Sequence, residues 1–225
     1  MRIFRSWCKA LRGYFKARLW LRIWTVILAG ALVLLYATGQ IHAQGSGYPT
    51  IYEMYAVLNA LGIYVFARIY LKQDLIEEYF MACLFGIQWE IMTEPFWTYL
   101  PDKFNILVWQ GKDIPLFAAF GWGNIFVVSV LASNWLGRKF FGLSPEKLLF
   151  DWRVLICDAI AIQVLGSFSE WLFGIVFHCW DYMYSAGIGK SPLGLGWEVH
   201  LGYFFIMFWY GTTMRVWKLK LEHKL

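Results

Sequence analysis

The stretch Gly86-Ile87-Gln88-Trp89-Glu90-Ile91-Met92-Thr93-Glu94-Pro95-Phe96-Trp97-Thr98-Tyr99 decides how this chain is read. Two carboxylates, Glu90 and Glu94, stand one helical turn apart in a segment otherwise apolar enough to cross a membrane. A charged group in hydrocarbon costs at least a few kcal/mol, so an ionisable residue at such a place marks a candidate functional site.

The composition supports the membrane reading. The 225 residues are 60% hydrophobic and 20% aromatic, with 16% charged. Soluble domains carry about 25% charge and about 45–50% apolar residues. At roughly 20 residues per crossing, six spans are expected: about Leu19–Thr38, Met54–Tyr70, Leu75–Trp97, Ile114–Leu136, Val154–His178 and Leu201–Trp217. The expected fold is an all-α polytopic transmembrane bundle occupying residues 19–218. Residues 1–18 alternate basic and bulky apolar side chains at helical spacing and read as an interfacial amphipathic helix. Residues 219–225 read as a cytoplasmic tail.

The net charge of +5 does not point to nucleic acid. Lys and Arg cluster in the head, at Arg68 and Lys72, at Arg138, Lys139, Lys147 and Arg153, and from Arg215 onward. That distribution places the N- and C-termini in the cytoplasm. The four cysteines show no metal-binding or redox spacing.

The segments 75–136 and 154–217 read as two hairpin repeats. At an offset of 80, Glu78 aligns with Asp158, Gly86 with Gly166 and Glu90 with Glu170. Aromatic exits follow, Trp97-Thr98-Tyr99 and Trp180-Asp181-Tyr182, and then Pro-Leu and Gly-Trp pairs at Pro115-Leu116, Gly121-Trp122, Pro192-Leu193 and Gly196-Trp197. Sites of repeated membrane folds commonly lie between the copies.

Depth along the spans brings Glu90, Glu94 and Glu170 to one level in the outer half. Trp89, Trp97, Trp122, Trp171 and Trp197 form the expected wall, with Asp181, Glu198 and His200 nearby. A carboxylic acid kept neutral among indoles can donate a proton, and a second carboxylate can remove one. Aromatic faces stabilise an intermediate cation by roughly 0.5–2 kcal/mol. Glu90, Glu94 and Glu170 are therefore the candidate catalytic residues. No metal and no cofactor are expected, because the spacing of His178, Asp181, Glu198 and His200 matches no ligand motif.

The run Glu90…Thr93-Glu94-Pro95-Phe96-Trp97-x-Tyr99…Ile114-Pro115-Leu116…Trp122 resembles the integral-membrane carotenoid hydratases and, more distantly, the heterodimeric-type lycopene cyclases. The Trp89-Glu90 pair is similar to the Trp-Glu of small membrane meroterpenoid cyclases. The resemblance implies cofactor-free hydration, cyclisation or isomerisation of a lipophilic isoprenoid or carotenoid, with Glu90 as the acid. The hydratases carry glycine where Glu94 stands. Two other readings remain open: a non-enzymatic subunit binding lipid, pigment or a partner membrane protein, and a proton-coupled carrier.

Overall fold

The computed structural model describes residues 19–93, 97–115, 117–144, 151–182 and 189–221. The expected amphipathic helix over 1–18, Glu94 and the end of the 219–225 tail lie outside them. The chain is mostly helical. Helix α1 spans Leu19–Ala37, α2 Ile51–Phe66, α3 Ile76–Thr93, α4 Ala118–Phe141, α5 Trp152–Glu170 and α6 Trp197–Leu221. Two helices widen into a π-helical last turn, α2 at Ala67–Leu71 and α5 at Trp171–Val176.

Three of these segments are long and apolar enough to cross a membrane: Ile51–Leu71, Ala118–Phe141 and Trp152–Val176. Helix α3 is interrupted by Glu77, Glu78 and Glu90, which dilute its apolar run.

The all-helical expectation is corrected in the connections. Among the described residues, five short strands form there: β1 Ile41–Gln44, β2 Trp97–Tyr99, β3 Ile106–Trp109, β4 Lys112–Pro115 and β5 Trp180–Tyr182. β1, β3 and β4 make one antiparallel sheet, in that order, and β2 and β5 make a second. The β3–β4 hairpin turns at Gln110-Gly111, both at positive φ (52° and 77°). A two-residue hairpin loop requires that geometry to match the strand twist. The expected span beginning at Ile114 therefore starts at Ala118, because Lys112–Pro115 pair with β3.

Helix starts follow local chemistry. Thr50 caps α2 in a reciprocal capping box with Glu53, satisfying backbone donors that a helix start leaves open. Glu53 is buried and also accepts from the Asn105 backbone N–H at 2.8 Å and its side-chain amide at 2.7 Å. The first turn of α2 is thereby stapled to β3. Asp151 caps α5 by accepting from the Arg153 N–H at 2.9 Å. Hydrogen bonding from the Arg153 side chain holds the Asp151 carboxyl down at about 2.

Helices α3, α4, α5 and α6 pack into a ring, each against the next, and α6 closes back on α3. Helix α2 lies on α4 from outside, whereas α1 touches the rest mainly through β1. Trp122, Phe126, Tyr203, Ile206, Met207 and Tyr210 fill the ring. Trp122 stacks on Phe126 at 5.2 Å, and Phe126 on Tyr210 at 5.0 Å.

Candidate functional site

The π-helical end of α5 and the β2–β5 ribbon roof one end of the ring. Their register is symmetric about Thr98 and Asp181: Trp97 opposes Tyr182, and Tyr99 opposes Trp180. The two aromatic exits thus pair directly with each other, and each sends its Tyr toward a carboxylate.

Glu90, in the last turns of α3, is 2% exposed. The Tyr99 hydroxyl lies 2.8 Å from both its oxygens. The Trp122 indole donates to Oε1 at 2.6 Å and the Trp97 indole to Oε2 at 3.3 Å. A buried charge is tolerable only when its lone pairs are occupied in this way. Glu170, at the end of α5, accepts from the Tyr182 hydroxyl on Oε2 at 2.6 Å and from the Tyr203 hydroxyl on Oε1 at 2.8 Å. The Trp180 indole is directed at the same carboxylate.

Both carboxylates line one cavity of about 300 Å³. Trp97, Tyr99, Trp122, Trp180 and Tyr203 surround them, and Tyr52, Phe117 and Phe173 extend the aromatic wall. Tyr55 and Asn59 of α2, Val128 of α4 and Phe168 of α5 line the flank. Tyr55 and Phe168 are exposed. Helices α2 and α5 both pack on α4 but barely on each other, so the cavity's flank lies in the cleft between them.

The structure brings together only part of the predicted set. Glu90, Glu170, Trp97 and Trp122 line the cavity. Trp89 packs against Gly202 between α3 and α6, and Trp171 leans on Phe168 at 5.7 Å. Trp197 is exposed at the start of α6 with its ring 5.2 Å from His200. Glu198 folds back over Gly196. His200 Nδ1 lies 2.9 Å from Ser167 Oγ and 3.0 Å from Gln163 Oε1. Asp181 is exposed and pairs with His178 at 3.4 Å. None of these six residues lines the cavity. Among the described residues, no cluster of three or more His, Cys, Asp or Glu could hold a metal.

Tyr203 is not among the residues expected from the sequence, and Tyr99, Trp180 and Tyr182 are expected there only as parts of the aromatic exits. A signal was available. Tyr203 follows Glu170 by 33 residues, as Trp122 follows Glu90 by 32.

A second polar site lies toward the opposite end. The Arg215 guanidinium makes a two-pronged pair with Asp158 at 2.6 and 2.7 Å, and Ser133 donates to Asp158 at 2.5 Å. Both members are almost fully buried. Between the two sites stands the apolar layer of Phe126, Ile162, Ile206 and Met207.

Compared with known proteins, the chain matches no family model, no curated protein sequence and no solved structure.

Proposed function

We propose that this chain is a multi-pass membrane enzyme doing acid–base chemistry on a lipophilic isoprenoid-type molecule. One observation carries the reading. Two carboxylates, Glu90 buried and Glu170 half-buried, each held by aromatic hydroxyl and indole donors, face a single aromatic-walled cavity. Its wall is largely apolar, as a hydrocarbon guest needs, with Glu90 and Glu170 as its carboxylates. In this reading α1 to α6 are six spans, both termini are cytoplasmic, and the cleft between α2 and α5 admits substrate from the lipid. The likeness to carotenoid hydratases and membrane terpene cyclases sets the substrate class and the reactions considered: hydration, cyclisation or isomerisation.

The two hairpin units are read as diverged repeats meeting at the β2–β5 ribbon. The matched environments of Glu90 and Glu170, each with a glycine one turn earlier under the partner aromatic, support that reading. In the reaction one carboxyl protonates a C=C bond, whose π electrons form the new C–H bond. The resulting cation sits against the faces of Trp, Tyr and Phe. Loss of a proton to a carboxylate, directly or from an added water, returns the site to its starting state. Catalysis of this kind needs no cofactor.

The apolar layer between the Glu90–Glu170 site and the Asp158–Arg215 pair weighs against a proton carrier, which needs a continuous polar path. A lipid- or pigment-binding subunit is the second reading, favoured by the same cavity if no chemistry occurs in it. Incubation in deuterated water separates the two. The protein in vesicles with linear polyenes is expected to fix deuterium on carbon. Tight binding of the polyene without any carbon-bound deuterium would contradict the enzyme and leave the binding subunit.

A further inference from the structure

One polar side chain of the cavity takes no part in holding the fold. Helix α2, within the membrane-length apolar segment Ile51–Leu71, lines the cavity with Tyr52, Ala56, Asn59 and Ile63. These positions recur at the spacing of one helix face. All four are at least partly shielded, whereas Met54, Val57, Leu58 and Leu61 between them are exposed. Asn59 therefore faces inward. Among the described residues its side chain has no hydrogen-bond partner. A carboxamide brings two donors and an acceptor, and leaving them unused within an apolar span is costly.

The other amide of the cavity, Asn124 of α4, is engaged. Its Nδ2 donates to the Ala56 carbonyl at 2.9 Å, and its Oδ1 accepts from the Tyr79 hydroxyl at 2.6 Å. A helix carbonyl points along the axis toward the residue four positions on, so the Ala56 bond brings Asn124 to the level of Asn59. Ser169 also lines the cavity, but a helical serine can turn its hydroxyl onto the carbonyl one turn back. Helix α4 meets the cavity along Ala118, Gly121, Ile125 and Val128. Trp122, the partner of Glu90, and Asn124 stand on opposite flanks of that stripe, about 160° apart. The unused amide of Asn59 thus lies on the α2 wall, across the cavity from the Glu90 partner.

We infer that Asn59 receives an oxygen function of the guest, a hydroxyl or a carbonyl. The site then selects an isoprenoid alcohol, aldehyde or ketone over the bare hydrocarbon. An amide serves either group: it donates to a carbonyl, and it both donates to and accepts from a hydroxyl. The guest spans the cavity, with its oxygen on the α2 wall and a C=C bond toward Glu90 and Glu170. The oxygen is bound and is not transformed. That the guest is an isoprenoid rests on the function proposed above; its need for an oxygen rests on Asn59.

Titration of the protein in lipid nanodiscs with farnesol and with farnesene tests this, read by the fluorescence of the tryptophans around the cavity. Affinities are referred to the concentration of each probe in the lipid phase. The wild type is expected to bind farnesol about tenfold more tightly than farnesene, the effect of roughly one hydrogen bond. Asn59→Leu, close in size, is expected to weaken farnesol to the level of farnesene without weakening farnesene. Asn59→Ala repeats the comparison if the leucine variant does not fold. Equal affinities in the wild type would overturn the inference. So would a preference for farnesol that survives loss of the amide. If the preference depends on Asn59 but no guest takes up carbon-bound deuterium, the Asn59 site stands and the enzymatic reading fails. Deuterium uptake with no preference that depends on Asn59 would do the reverse.

Discussion

Gly86 sits directly beneath Trp122: a Cβ on Gly86 would fall 2.1 Å from the Trp122 Cβ. That atom is fixed to the α4 backbone, so rotation of the indole gives no relief. Gly166 has the matching place under Tyr203, but there the nearest atoms, at 2.7 Å, belong to the ring. Overpacking of a filled interior costs typically about 1–3 kcal/mol. Gly86→Ala is expected at or above the top of that range and Gly166→Ala nearer the bottom. Thermal unfolding in detergent or lipid compares them directly. Equal destabilisation would mean that α3 and α4 can separate more freely than this contact allows.

Tyr99→Phe removes the hydroxyl shared by both Glu90 oxygens. Hydrogen bonds to charged groups are worth about 1.5–3 kcal/mol, and a loss of that size is expected in denaturant or thermal stability. Tyr182→Phe is expected to cost less, because Glu170 is only half-buried and cavity water can replace the hydroxyl. The paired measurements check the ranking.

The Asp158–Arg215 pair allows a sharper test. Removing one partner of a buried pair leaves an uncompensated charge and costs about 3–5 kcal/mol. Arg215→Met and Asp158→Asn are each expected to destabilise strongly. The double variant is expected to recover most of the loss, measured as a double-mutant cycle. Additive losses would show that the two side chains do not act as a unit.

Cys179, in the connection between α5 and β5, is completely buried. Burial pushes its thiol up to about 11. Since the thiolate is the reactive form, alkylation of Cys179 at pH 8 is expected to be negligible in the folded protein and rapid after denaturation. Peptide mapping of the alkylated protein reads this out.

Much of the architecture is visible in the sequence because it rests on periodic apolar runs. The helices fall within a few residues of the expected spans, and Glu90, Glu170, Trp97 and Trp122 are recognisable as polar or aromatic interruptions at matching positions. The strands were not foreseen. Ile106–Trp109 and Lys112–Pro115 are too short to show a period, and only the Gln110-Gly111 turn signals them. Depth along a helix also says nothing about which way a side chain faces. Trp89 and Trp171 share a level with the site, yet each points away because it directly neighbours Glu90 or Glu170 and lies about 100° round the helix. Tyr99 and Tyr182 pass for interfacial aromatics until β2 and β5 are seen to pair. That pairing joins residues 81 to 85 apart, and nothing local encodes it.

The most direct test of the central claim is mass spectrometry of isoprenoids that co-purify from a host supplied with their precursors. Wild type, Glu90→Gln and Glu170→Gln are compared. A modified isoprenoid is expected with the wild type, and its unmodified precursor with both folded variants. Identical lipid profiles from all three folded proteins would contradict an acid–base enzyme at this site.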